Sequence, residues 1–183
     1  MVTSKGYLQL YNLTFNDRIN INDGGMISAR DITYEVTVTG EESRIGAYGN
    51  SELYITKSTI NAEVDVSESS LGIIKETTIN FSNDTALSVQ EVSHVELEDS
   101  STVNGRISVY NKSFLDASDS VINCSSANSC LYVNSSEIEL SSMTINATNI
   151  QYSVLDMSFG SKGNLRDTNI TADSDTAGIN LRV

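Results

Sequence analysis

A short phrase of alternating polar and apolar residues recurs along the chain. It reads Thr59-Ile60-Asn61, Thr78-Ile79-Asn80, Thr102-Val103-Asn104, Val121-Ile122-Asn123 and Thr144-Ile145-Asn146, with looser copies at Thr14-Phe15-Asn16, Thr33-Tyr34-Glu35 and Asn169-Ile170-Thr171. The third positions fall at 16, 35, 61, 80, 104, 123, 146 and 171, so the spacings run 19, 26, 19, 24, 19, 23 and 25. A repeat of this length predicts a solenoid, in which each coil buries its apolar side only against its neighbours. The middle residue of the phrase is apolar in every copy, which makes it an inward column. Strand alternation turns the Thr before it to the opposite face.

Further apolar pairs spaced by two predict two more strands per coil. One precedes the phrase, at Leu8 and Leu10, Ile27 and Ala29, Leu53 and Ile55, Leu115 and Ala117, and Ile138 and Leu140. Val95 and Leu97 continue this set one residue out of step, which predicts a β-bulge around Asp99-Ser100-Ser101. The other strand follows the phrase. It starts early at Ile19, Val64 and Ile107 and late at Leu87, Leu131 and Ile179, with Ile45 and Val154 as the remaining starts. The delay places inserts at roughly residues 36–44, 81–86, 124–130, 147–153 and 172–178, all at one corner, so these loops are expected to line one edge of a rod. Three short strands per turn describe an all-β, single-stranded parallel β-helix of about eight coils, on the order of 40 Å long at the spacing of paired strands. The right-handed preference of parallel crossovers favours the right-handed form. No segment holds apolar residues at helical spacing.

The whole chain, residues 1–183, therefore reads as one β-helix domain. Its 28 Ser, 16 Thr and 18 Asn suit narrow stacked turns. Neither end looks like a cap, since the chain enters a strand by Tyr7-Leu8 and stops inside one at Ile179–Val183. A fragment of a longer rod, or a rod capped by self-association, is expected.

In its coil architecture the pattern resembles the right-handed β-helix (pectin-lyase-like) superfamily, and most closely its non-enzymatic passenger and surface-adhesin branch. Asn16, Asn61, Asn80, Asn104, Asn123 and Asn146 are similar to that family's asparagine ladder at a turn. Stacked amides of this kind can pass hydrogen bonds from coil to coil. Glu35 and Thr171 interrupt the column.

Charge and chemistry then narrow the function. A net charge of −13, from 24 acids and 11 bases, argues against nucleic acid or an anionic membrane as a partner through a basic patch. No apolar run reaches membrane-spanning length, and Met1–Lys5 lacks the basic and apolar parts of a signal peptide. Enzymes of the resembled superfamily use acid clusters, or an Arg or Lys base with calcium. This chain has no adjacent Asp-Asp pair, no Gly-His-Gly and, without proline, no Arg-x-Pro element. His94 stands alone and reads as an exposed or capping residue. Acids gather at Glu91, Glu96, Glu98 and Asp99 and, one coil on, at Asp116 and Asp119; they could serve sugar chemistry or bind a cation, or be a solvated acidic surface.

Cys124 and Cys130 bracket one corner insert. They offer too few ligands for a metal. A disulfide is preferred over free thiols and would imply an oxidising compartment; such close pairs are also similar to those of autotransporter passengers. Tyr54 and Tyr132 lie between inward residues and are expected to face outward, as sugar-stacking platforms would. The outward Thr column raises an ice-binding alternative.

The expectation is a non-catalytic extracellular or cell-surface rod, needing no cofactor or metal, that attaches to a host or bacterial surface glycan or protein, or to itself. Weak binding residues would be Tyr54, Tyr132, Asp99, Asp116 and Asp119. The alternative is a phage tailspike or carbohydrate-active β-helix that binds or cleaves a polysaccharide.

Overall fold

The computed structural model describes residues 6–12, 14–15, 19–30, 32–35, 44–125, 128–173 and 177–182, without the side chains of 15, 33–35, 82–84 and 177. It is an all-β parallel solenoid of about seven turns that matches the right-handed parallel β-helix. The eight expected coils are its eight rungs, with Asn16 and the insert at 36–43 lying outside the described residues.

The first face is an eight-stranded parallel sheet built from Tyr7–Tyr11, Met26–Arg30, Glu52–Thr56, Leu71–Lys75, His94–Glu98, Phe114–Ser118, Glu137–Ser141 and Lys162–Arg166. The second face carries the recurring phrase, among others at Thr59–Asn61, Val121–Ser125 and Thr144–Thr148. The third runs from Ile19–Ile21 through Arg44–Ala47, Glu63–Val66, Ser129–Asn134 and Ser153–Ser158 to Ala177–Arg182. In the fourth and fifth rungs the second and third strands fuse, as Thr78–Val89 and Thr102–Tyr110. The insert at 81–86 is thus absorbed as an irregularity in strand register between Asn80 and Leu87. It folds over Gly105, where a side chain would strike the Phe81 carbonyl.

Alternation decides what is inside. Leu53, Ile55, Val95, Leu97, Leu115 and Ala117 point inward from the first face, Ile60, Ile79, Val103, Ile122 and Ile145 from the second, and Val64, Leu87, Ile107, Leu131 and Val133 from the third; all are buried. On the seventh rung register sets Leu155 and Met157 opposite Leu131 and Val133, so the inward pair starts one residue after Val154. Burying a Leu or Ile side chain contributes about 2 kcal/mol.

Three columns of polar side chains tie the corners. At the corner after the second face, Asn80, Asn104, Asn123 and Asn146 each donate through Nδ2 to the Oδ1 of the preceding Asn, beginning at Asn61, at 2.8, 2.6, 2.9 and 2.9 Å. At the corner between the third and first faces, the backbone N–H groups of Ser51, Ser70, Ser93, Ser113 and Ser136 donate to the hydroxyl of the next coil's Ser70, Ser93, Ser113, Ser136 and Ser161. At the remaining corner Ile32, Ser58 and Thr77 donate in the same way to Ser58, Thr77 and Ser101. Buried N–H groups that the sheets cannot reach are thereby satisfied.

The corner after the first face turns on one left-handed residue at Lys57, Glu76, Asp119, Ser142 and Asp167. Asp99 and Ser100 both adopt positive φ, 54° and 63°. The residue that puts Val95 and Leu97 out of step is therefore held in a two-residue turn, where a β-bulge was expected: a left-handed pair reverses the chain without disturbing the ladder on either side.

Candidate functional site

The acids nominated by the sequence divide between a corner, which takes Asp99 and Asp119, and a strand, which takes Asp116. Asp99 is an exposed turn residue with Lys75 Nζ 3.8 Å from its Oδ2. Asp119 holds a left-handed corner position, and its carbonyl accepts from Ser100 N at 2.9 Å. Asp116 stands mid-strand on the outer side of the first face, in register with Glu96 before it and Glu139 after it. Among the described residues no group of His, Cys, Asp and Glu is arranged to hold a metal ion. Tyr54 faces outward as expected, and its hydroxyl donates to Glu52 Oε2 at 2.9 Å. His94 is neither open nor a cap: it is half-buried, its ring 4.9 Å from that of Phe114.

Cys124 and Cys130 form a disulfide with Cα atoms 5.6 Å apart. Both are buried in the core, so the bridge anchors the base of its insert. Residues 126–127 of this insert, like 174–176 of the last one, lie outside the described residues.

Tyr132 is drawn into a cluster that the sequence did not disclose. Register on the third face places Asp65, Ser88, Ser108, Tyr132, Asp156 and Asn180 in one outward row. In its middle the Arg106 guanidinium lies 5.1 Å from the centre of the Tyr132 ring. The Tyr110 ring packs 5.5 Å away on the same ring, and Asn134 Nδ2 donates to the Tyr132 hydroxyl at 3.0 Å. Arg106 makes no ion pair among the described residues, and its Nε has no hydrogen-bond partner. An Arg braced on an aromatic ring, with no carboxylate partner among the described residues, is equipped for recognition.

The row holds two buried carboxylates, Asp65 at one end and Asp156 next to the other. Asp65, 2% exposed, accepts from Arg44 Nη1 at 3.3 Å, Tyr48 Oη at 3.0 Å and Gln90 Nε2 at 3.1 Å. Burial, and then the Asp65 charge, push the Tyr48 phenol up to about 12. Asp156 accepts from Asn180 Nδ2 at 3.2 Å and Arg182 Nη2 at 2.7 Å. These saturated carboxylates clamp neighbouring rungs. The signal for them was a lone Asp between inward residues, Val64-Asp65-Val66 and Leu155-Asp156-Met157.

No family model, no curated protein and no solved structure matches the chain.

Proposed function

We propose that the chain is a non-catalytic segment of an extracellular β-helical rod, of the surface-adhesin or autotransporter-passenger kind. It attaches to a surface glycan or protein, or to a second copy of itself. The Arg106–Tyr110–Tyr132 cluster carries this reading. It projects from the third face, which begins where the corner inserts end, and it stands on a scaffold tied rung to rung by three polar ladders. Aromatic rings and Arg are the residue types that dominate binding surfaces. A rigid rod repeats weak contacts along its length without paying for their order again. The disulfide agrees with an oxidising compartment.

The test measures binding of the purified chain to cells and to itself, with Arg106→Ala and Tyr132→Ala alongside. Loss of attachment or self-association, on the order of tenfold for each variant at an unchanged far-ultraviolet spectrum, is the expected result. Attachment indifferent to both substitutions would sink the assignment.

The stacked row of Glu96, Asp116 and Glu139 favours a second reading, a polysaccharide-cleaving β-helix. New reducing ends released from a bacterial polysaccharide, and lost in Asp116→Asn, would establish it.

A further inference from the structure

The corner between the third and first faces follows one rule with one exception. Asp23–Gly24, Gly49–Asn50, Glu68–Ser69, Glu91–Val92, Asn111–Lys112 and Phe159–Gly160 are all two-residue turns with both residues at positive φ. Between Asn134 and Ser136 the same corner is made by Ser135 alone, at φ 50°. The strands on either side stay in register: Tyr110 with Asn134 and Asn134 with Ser158 on the third face, Phe114 with Glu137 and Glu137 with Lys162 on the first. The serine ladder also passes through the gap unbroken, from Ser113 to Ser136 to Ser161. The missing residue is therefore taken from the surface, and the rod is notched at this rung.

The notch is a recess of about 230 Å³, smaller than a drug-sized pocket and suited to a single ring. Lys112 walls it on one side and Gly160 on the other, with Ser135 between them and Phe114, Glu137 and Lys162 along the first face. His94 covers one side of Phe114. Lys112 makes no ion pair among the described residues. Lys162 Nζ lies 3.6 Å from Glu137 Oε1, but both side chains are largely exposed, so that pair is weak and exchangeable. The recess thus carries a net positive charge on a chain of net charge −13.

Phe159 adds a separate indication. It is 71% exposed and has φ 53°, a conformation that costs a bulky L-residue roughly 1–2 kcal/mol. Its carbonyl accepts from the Ser135 hydroxyl at 3.2 Å, which sets the residue at the rim. The positive φ is shared by the first residue of every two-residue turn at this corner, so what sets Phe159 apart is an aromatic face exposed beside the recess.

We propose that the notch binds one terminal, carboxylate-bearing sugar residue. The carboxylate sits between Lys112 and Lys162, the C–H face of the ring lies against Phe114, and Phe159 packs at the rim. Turns that close both ends along the rod axis select a chain end over a chain interior. The site adjoins the Arg106 cluster through Asn134, which donates to the Tyr132 hydroxyl and accepts from Ser135 Oγ at 3.1 Å; its test varies Lys112 and the Ser135 corner, which the attachment test leaves untouched, so either assignment can fail without the other.

The test titrates the whole chain with methyl β-D-glucuronide, and with methyl β-D-glucoside as the uncharged control, following backbone amide resonances. The glucuronide is expected to shift Lys112, Phe114, Ser135 and Gly160. The glucuronide should bind Lys112→Gln roughly tenfold more weakly, one charge-assisted contact being lost, and the glucoside should bind the parent more weakly still, because both contacts to the carboxylate are lost. A glycine inserted after Ser135 restores the two-residue corner found at the other rungs. That variant should keep the parent's thermal midpoint and lose the shifts. Equal binding of the two glycosides, shifts elsewhere on the rod, no shifts at all, or undiminished binding by Lys112→Gln or by the refilled corner would each overturn the proposal.

Discussion

Tyr48 lies flat across Gly46, where any side chain would occupy the space of its ring, and that position lets its hydroxyl reach Asp65 on the next rung. Because the phenol is raised from 10.0 to about 12, the folded protein keeps a proton that the unfolded chain gives up. The stability this contributes is fully present below pH 10 and is lost as pH rises through 12. The parent should therefore lose about 1 kcal/mol relative to Tyr48→Phe across that interval, less than the full linkage value because the ring is part-exposed. Urea midpoints of the two proteins measured through alkaline pH check this, and parallel slopes would count against it. At this scale the sequence was only partly legible. That Tyr132 faces outward follows from alternation. That it carries Arg106 and Tyr110 does not, because those residues reach it from a neighbouring rung whose register depends on the length of the insert between them.

At the scale of elements, the corner columns convert small polar residues into inter-coil bonds. An interior ladder residue makes two amide bonds and a terminal one makes one: Asn104 donates to Asn80 and accepts from Asn123, whereas Asn146 donates to Asn123 alone among the described residues. Asn104→Ala should destabilise by about 2 kcal/mol and Asn146→Ala by about 1 kcal/mol, since the first leaves two half-buried groups unpaired and the second leaves one. Thermal or urea unfolding of the pair measures the ratio, and equal losses would show that the amides do not act as a chain. The Asn column was visible as a repeat because it sits beside the invariant apolar position. The two Ser and Thr columns were hidden, because Ser and Thr are so common here that a column of them does not stand out from composition.

In the whole molecule each rung is protected by the rungs on either side, and the last described one in this 183-residue chain has a neighbour on one side only. Ile179 and Leu181 occupy inward positions yet are 52% and 68% exposed, while the equivalent Leu131 and Val133 are fully buried. Stability in a stack of this kind is a sum of nearest-neighbour terms. Amide exchange should therefore be slowest in the strands between Leu71 and Val133 and fastest in Lys162–Arg166 and Ala177–Arg182. Uniform protection along the rod would show that it unfolds as a single cooperative unit.

The sequence by itself determined the fold class, the identity of the inward columns, the Asn ladder and the corner that takes the inserts. Each of these repeats with the coil, and a repeated constraint can be read from spacing alone. It also placed the extra residue near Asp99, though not its form, because the choice between a bulge and a left-handed pair lies in backbone torsion and leaves no mark on hydrophobic pattern. Only the tertiary structure decided which outward residues meet. The acids nominated on sequence proximity separate, Asp99 and Asp119 into turns and Asp116 into a row, because neighbours in the chain leave a strand on different faces. Asp65 and Arg44 meet across 21 residues, and Arg106 meets Tyr132 across a coil, because what brings side chains together in a solenoid is the vertical stack. The notch at Ser135 belongs to the same class. One residue fewer at a single corner is lost among spacings that already vary from 19 to 26, and it becomes a cavity only when the six longer corners are laid beside it.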